Sequence, residues 1–308
     1  MSPSKIPLIS VLVPCYNHEA FVIDSLESIK QDPYERIEIL FLDDGSSDQS
    51  YDLAADWLET NKEHFESVSY ARQENQGICK TFNTLVRRSS GDFVFILASD
   101  DQVAPNGITN TVGYYLRSCK EPTLLFTDLT LIDYNGALYA ESGTLYTHRD
   151  RELLEQSRQY LRLDTLINWG IPYMQQFYPR QLFDRHGGYN EDLKCEDYYF
   201  ALKNMVHGAI AYAPVISRCY RMRPKDQVVT PGLSEADYRA GSAREMTASE
   251  FPSSYRILFW ALGLRDMKAE GKMALLIKGG FRFLLKAYMK LARVYYRAKT
   301  APVIRSAR

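Results

Sequence analysis

The stretch Ile37-Glu38-Ile39-Leu40-Phe41-Leu42-Asp43-Asp44-Gly45-Ser46-Ser47-Asp48 decides how this chain folds. Its first six residues read as a short buried strand. The two carboxylates that stop the run fall where such a strand leaves its sheet. Gly45–Asp48 then supplies a turn and a helix N-cap, and Ser50–Asn61 has helical spacing. Strand, acidic exit and helix in that order form one step of an α/β sheet.

Working outward, the step recurs. Leu8–Val13 is an apolar, β-branched run stopped by Pro14, and Phe21–Lys30 carries helical spacing through Phe21, Ile23, Leu26 and Ile29. Ser67–Ala71 reads as a third strand, Ile78–Arg88 as a helix, and Phe93–Leu97 as a fourth strand closed by Asp100-Asp101. Beyond Asp101 the alternation is irregular. A helix is expected over Asn106–Ser118, short strands over Thr123–Thr127 and Thr130–Asp133, and a hairpin turn at Asn135-Gly136. Arg149–Ile167 reads as mostly helical, Gly187-Gly188-Tyr189 as a turn, and Met222–Tyr238 as a loop or domain edge.

A third acidic pair, Glu196-Asp197, stands just before the helical stretch Tyr198–Met205. Singly, each pair has a structural reading: a strand exit with a helix cap, a solvated turn, a helix start whose acids complement the macrodipole. Those readings do not explain the set. Open α/β sheets bind ligands at the carboxyl ends of their strands. Carboxylates gathered there suit a hard divalent cation that keeps positions open for phosphate oxygens.

Composition bounds the alternatives. The chain has 308 residues, 45% hydrophobic and 24% charged, enough for one large α/β domain with an appendage. Its five cysteines (Cys15, Cys79, Cys119, Cys195, Cys219) are scattered without metal-ligand spacing, which predicts a reducing compartment and no zinc site. Met1–Pro7 carries no long apolar segment, so no signal peptide is expected, and no apolar run is long enough to span a bilayer. The net charge of −1 hides an asymmetry: Asp266–Arg308 holds 11 Lys or Arg against 2 acids. An acidic body with a basic tail is unlike a nucleic-acid binder, whose basic patch lies on the folded domain.

The ordered series Ser10–Asn17, Asp43–Asp48, Asn75-Gln76-Gly77, Asn83, Ala98–Asp101 and Glu196-Asp197 resembles family 2 glycosyltransferases, over about Ile9 to Arg223. The resemblance implies a GT-A fold: an α/β architecture with a Rossmann-like nucleotide-binding half, a mixed central sheet and, here, a C-terminal amphipathic helical extension. It divides the chain into a nucleotide-sugar-binding subdomain (1–101), an acceptor-binding and catalytic subdomain (102–225), a variable region (226–262) and basic C-terminal helices (263–308). It implies an inverting transferase of the hexosyl or N-acetylhexosaminyl type. Such an enzyme moves a sugar from a nucleotide donor, a UDP-sugar by family frequency, to a hydroxyl of a saccharide or lipid-linked saccharide in surface polysaccharide biosynthesis. Donor-binding residues carried over are Pro14, Tyr16, Asn17, Asp44, Asn75, Gly77, Asn83, Ser99, Asp100 and Arg223. Asp100 and Asp101 would hold Mn2+ or Mg2+, and Asp197, with Glu196 beside it, would be the general base. Two departures stand out. The usual Asp-x-Asp reads Ala98-Ser99-Asp100, and the His that often follows Tyr-Arg-x is Arg223 in Tyr220-Arg221-Met222-Arg223. A catalytically inactive GT-A-like scaffold stays open on the first departure. A nucleotidyltransferase would need a Gly-rich basic loop that Pro14-Cys15-Tyr16-Asn17 does not provide.

The tail carries its own pattern. Lys278, Arg282, Lys286 and Lys290 recur every fourth residue, extended by Arg293 and Arg297, with Leu276, Ile277, Phe281, Leu284, Leu285, Tyr288 and Leu291 around them. A basic amphipathic helix predicts attachment to an anionic membrane surface, hence a cytoplasmic protein held at the inner face of the cell membrane. Packing on the catalytic body or pairing in a homo-oligomer is the other reading, and Gly279-Gly280 is a candidate break.

Overall fold

A computed structural model describes residues 6–170, 172–173, 175–193, 196–222, 249, 251, 258, 262 and 272–300; the side chains of 196, 272–279 and 282 are outside that description. The first half follows the sequence pattern: β1 (Ile9–Cys15), α1 (Val22–Lys30), β2 (Ile37–Asp43), α2 (Ser50–Asn61), β3 (Ser67–Arg72), α3 (Ile78–Arg88), β4 (Phe93–Ile96). Then come β5 (Gln102–Val103), α4 (Gly107–Ser118), β6 (Thr123–Ile132), β7 (Leu138–Ala140), α5 (Gly143–Tyr146), α6 (Arg151–Gln156) and α7 (Arg158–Ile167). The last part holds β8 (Gln176–Pro179), α8 (Gln181–His186), α9 (Glu196–His207), β9 (Ala209–Arg221) and α10 (Lys272–Thr300).

One mixed sheet takes all nine strands in the order β3-β2-β1-β4-β8-β6-β9-β5, with β7 paired to β6. The strands β3, β2, β1 and β4 run parallel. β8 is antiparallel to both β4 and β6, and β9 runs parallel to β6. Both faces of the parallel half are covered, which is why β1 and β2 are buried at every position. Side chains alternate between two cores. Val11, Val13, Ile39 and Phe41 face α1, α2 and α4, whereas Leu12, Leu40 and Leu42 face α3 and the later helices.

Several expectations change in the second half. The two short strands expected between Thr123 and Asp133 are one strand, β6, carrying register shifts around Asp128. Its long partner β9 was not foreseen. Pro214 sits in the shift, between the pairings Thr127↔Ala213 and Asp128↔Ile216, where a residue without a backbone donor is tolerated. The helical stretch to Ile167 is interrupted at Ser157, whose hydroxyl accepts from the Tyr160 amide and caps α7.

The tail helix is also corrected. α10 runs unbroken through Gly279-Gly280. It lays Leu285, Met289 and Ala292 into the same core as Leu153, Leu154 and Tyr160. Arg297 Nε donates to Asp150 Oδ2 at 2.5 Å, and Arg293 donates to the Tyr160 hydroxyl and the His148 carbonyl at 3.3 and 3.2 Å. Two members of the expected basic stripe are therefore spent on the body. Lys286 and Lys290 are exposed, and Lys278 and Arg282 lie among the undescribed side chains. A second apolar face remains open to solvent: Phe283, Leu284, Tyr288, Leu291, Val294 and Tyr295 are each at least half exposed.

Candidate active site

The carboxyl ends of β1, β2 and β4 carry three loops knitted to one another. Asn17, at positive φ, receives the Ser47 amide on its side-chain oxygen at 2.8 Å while its own amide donates to Ser46 Oγ. Asp48 accepts the amides of Glu19 and Ser50. Asp43 accepts from the amides of Gly45 and Ser46 and from the Ser46 hydroxyl, so the first acid of the decisive stretch holds its own turn. Gly45 is required there: it stands at φ 81°, and a Cβ would lie 2.9 Å from the Asn75 amide nitrogen.

Asp44 reaches the other way. One carboxylate oxygen accepts from Gln73 Nε2 and the Gln76 amide at 2.8 and 2.9 Å, and the other from the Gly77 amide at 3.0 Å. Gly77 is the N-cap of α3 and has no side chain to offer, so Asp44 supplies the anion at that helix end from 33 residues away. The exposed Asn75 and the half-buried Gly77 thus owe their place to Asp44. Tyr16 is half exposed at the rim, and Pro14 is buried inside β1, where it sets the exit of the strand.

Asn83, expected to face a donor, turns its amide elsewhere. It donates to the Tyr189 carbonyl and to Glu191, and accepts the Tyr189 amide at 2.9 Å. What it contributes is the position of the 188–191 turn, where Tyr189 lines the central cavity.

The expected metal pair divides. Asp100 faces His18, whose Nε2 lies 3.7 Å from its Oδ2. Asp101 turns inward, accepting the Arg221 amide at 2.9 Å. Burial, then the neighbouring charge of Asp100, pushes its carboxyl up to about 8, against the Arg221 amide bond and the Arg218 and Arg221 charges. With Oδ1 taken by the Arg221 amide, Asp101 is engaged with β9, whereas Asp100 faces His18. Ser99 is fully buried and its hydroxyl bonds to His18 Nδ1 at 2.8 Å. Among the described residues no cluster of three or more His, Cys, Asp or Glu side chains could hold a metal ion.

Behind this rim lies a cavity of about 140 Å³ lined by Ala98, Asp101, Gln175, Gln176, Asp197 and Arg218, with Phe82, Ile96, Tyr178, Tyr189 and Tyr220 as its aromatic and aliphatic walls. Asp197 stands in the first turn of α9, where its carboxylate accepts the Tyr198 amide at 2.7 Å. The side chain of Glu196 and all of Arg223 lie outside the described residues.

Sequence reasoning missed Arg218. Its guanidinium is stacked 4.3 Å over the Phe95 ring and donates to Gln175 Oε1 at 2.6 Å and the Gln176 carbonyl at 3.4 Å, while Nε finds no partner among the described residues. Burial lowers its pKa to about 10, opposed by the charge of Asp101. Arg221 is a strut: Nε donates to the Asp100 carbonyl and Nη1 to the Tyr134 carbonyl, both at 2.8 Å, over the Phe21 ring. It ties the Asp100 turn to the β6–β7 hairpin.

Family and fold are identified by similarity to known proteins. The glycosyl transferase family 2 model matches residues 10–163, half of the chain. An uncharacterized glycosyltransferase of Rickettsia prowazekii is 23% identical over 188 residues, covering 61% of this chain and 55% of that protein. The chondroitin synthase of Escherichia coli is 31% identical over 172 residues, covering 54% of this chain and 24% of that protein. The chain spans about half the length of the first of these relatives and about a quarter of the second. Among solved structures, S. aureus TarS 1-349 in complex with UDP-GlcNAc superposes with a TM-score of 0.63 at 17% identity, over 83% of this chain and 72% of that one. The mannosyltransferase PcManGT of Pyrobaculum calidifontis, in complex with GDP-Man and Mn2+, gives 0.62 at 16% identity over 97% and 84%. The fold is GT-A, with a mixed central sheet whose parallel half is β1–β4.

Proposed function

The chain belongs to glycosyl transferase family 2, and from that premise we propose that it transfers a sugar from a nucleotide donor, a UDP-sugar, to a saccharide hydroxyl with inversion. The observation that carries this reading is the meeting of Asp197 with the exit of β4. Asp197, Ala98 and Asp101 line one cavity, and Asp100 precedes Asp101 in the turn that leaves β4, at the carboxyl end of the parallel strands. The nucleotide complexes of the two structural relatives support a nucleotide-sugar donor, and the Mn2+ in one supports a divalent cation.

In this reading Tyr16, Asn17 and the Asp44-anchored loop 73–77 bind the nucleoside, and Asp100 would hold the cation. A bound cation stabilises the charge that gathers on the leaving diphosphate. Asp197 takes the proton from the attacking hydroxyl as the new bond forms; one base suffices, because the diphosphate departs without protonation. Arg218 and Gln175 orient groups of the sugar within the cavity, with the aromatic walls supplying stacking faces.

We further propose that the open face of α10 rests on an anionic lipid surface. Phe283, Leu284, Tyr288, Leu291, Val294 and Tyr295 would sit in the interface, with exposed Lys286 and Lys290 on the headgroups. Among the described residues no helix is long and apolar enough to cross a membrane.

The test is release of nucleoside diphosphate from a panel of UDP-, dTDP- and GDP-sugars with and without Mn2+, comparing the parent with Asp197→Asn. The variant keeps donor affinity and loses about 10²–10⁴-fold in turnover, the usual worth of a general base. Parental turnover in the variant removes Asp197 from the reaction. No release by the parent from any donor sinks the transferase reading.

A further inference from the structure

The cation site of this chain lacks two groups that its family often provides. Position 98 is Ala where the first Asp of Asp-x-Asp is usual, and position 223 is Arg where a His often follows Tyr-Arg-x. Asp101, the remaining acid of the expected pair, is turned toward the Arg221 amide. Asp100 is left as the carboxylate at the rim, and a second protein donor stands beside it.

That donor is His18, which immediately follows the Pro14-Cys15-Tyr16-Asn17 loop. Its Nε2 lies 3.7 Å from Asp100 Oδ2, close to the separation of two ligands on one ion, and both side chains are about one-seventh exposed. The ring is held in place. Nδ1 is bonded to the buried Ser99 hydroxyl at 2.8 Å, the His18 amide donates to Ser50 Oγ at 2.8 Å, and the imidazole meets the edge of Phe21 at 6.3 Å. Metal-ligating histidines characteristically have their second ring nitrogen fixed by an outer hydrogen bond, which sets the tautomer and aims the first. Ser99, expected to touch the donor, does this instead for His18. We infer that His18 Nε2 is the second protein ligand, with Asp100, of the divalent cation that accompanies the nucleoside diphosphate.

The donor set fits the group. Cations of this class in phosphate-handling sites keep one or two protein ligands and complete their shell with phosphate oxygens and water, so a cluster of three side chains is not needed. One imidazole beside one carboxylate also discriminates between metals: Mg2+ demands a near-ideal octahedral shell and gives up water reluctantly, whereas Mn2+ stands in the transition series that takes nitrogen ligands more readily. The site should therefore favour Mn2+ over Mg2+.

The inference rests on the donor-site reading, and the experiment separates the two. The probes are MnCl2 and UDP with the full chain. Pulsed EPR of the protein–Mn2+–UDP complex is expected to show modulation from a directly coordinated imidazole ¹⁴N, absent in His18→Ala. Calorimetry should show Mn2+ affinity in the presence of UDP falling at least about tenfold in His18→Ala, since even outer-shell changes cost 10–100-fold. Substituting Mg2+ should bind the parent more weakly than Mn2+ and respond less to the variant. Parent protein that binds Mn2+–UDP without the nitrogen signal overturns the role of His18, and the EPR of the parent decides this even if the variant fails to fold. Failure of the parent to bind Mn2+–UDP at all overturns the donor-site reading, and the His18 inference with it.

Discussion

Replacing Asp44 with Asn tests how the nucleotide half is held together. The carboxylate accepts three bonds from a single loop: Gln73 Nε2 and the Gln76 amide on one oxygen, and the Gly77 amide on the other. An amide retains one acceptor. Keeping it toward Gln73 and Gln76 turns an NH2 against the Gly77 N–H, and the anion at the start of α3 is lost. A hydrogen bond to a charged group is worth about 1.5–3 kcal/mol. Because Gln73 also donates through its amide to the Asp43 carbonyl and through Nε2 to Thr81, the cost falls on local opening around Gln76 and Gly77 and not on global stability. At about 1.4 kcal/mol per decade, the Gln76 and Gly77 amides should exchange with deuterium about 10- to 100-fold faster in Asp44→Asn, with β2 amides unchanged. UDP affinity should fall with them, because the loop then pays its ordering on binding. Unchanged exchange at Gly77 would refute the anchoring. Unchanged exchange together with weakened UDP binding would make Asp44 a direct contact to the base and nothing more.

The remaining predictions concern the scaffold. Glu38 is buried and accepts from Ser10 Oγ, the Ser90 amide and hydroxyl, and the Gly91 amide at 2.5–3.0 Å. Glu38→Gln should therefore cost about 3 kcal/mol, since each buried donor left without a partner costs about 1–3, and lower Tm by roughly 6–12 °C. Burial raises the Glu38 pKa, but the donors from Ser10, Ser90 and Gly91 outweigh it and leave it lowered. A lowered folded pKa means stability present above the ordinary glutamate range and lost as pH falls through it. Tm should thus drop on acidification below about pH 4.3, more steeply in the parent than in Glu38→Gln; parallel curves would remove Glu38 from that acid limb. On α10, Leu285→Asp should destabilise the fold, whereas Leu291→Ser should leave the melt unchanged and weaken sedimentation with anionic vesicles; equal vesicle binding by Leu291→Ser and parent would end the lipid assignment.

The nucleotide half was legible because its rules are local. A strand buried on both faces reads as a continuous apolar run, and its exit is marked by Pro14, Asp43 or Asp100. The split of Asp100 from Asp101 was also legible in principle, since successive side chains leave the backbone in different directions and seldom converge on one ion. β9 was not legible. Its run contains Pro214, Ser217, Arg218 and Arg221, a composition that reads as surface, and only the register shift in β6 and the Phe95 ring make room for them. Arg218 illustrates the limit: nothing in its neighbours along the chain says that Gln175, Asp101 and Phe95 will enclose it.

α10 shows the same limit from the other side. Its periodicity announced an amphipathic helix but not which apolar face would be covered, because sequence alone gives two candidates. Leu285, Met289 and Ala292 recur at one set of helical intervals, while Leu284, Tyr288, Leu291 and Tyr295 recur at another. Leu285, Met289 and Ala292 share the core of Tyr160, Arg297 bonds to Asp150 on the same side, and the second set faces outward. The consequence bears on any shortened form of the protein. Removing residues beyond Gly263 would strip the seam of α10 from α6 and α7, whose Leu153, Leu154 and Tyr160 share its core, so a shortened chain should be less stable. Burial of Leu285 and Met289 alone stabilises by roughly 1.5–3 kcal/mol each. The helix is therefore both part of the catalytic body and, through its other face, a candidate lipid contact. A variant that separates those roles must change the outer face and leave the seam intact.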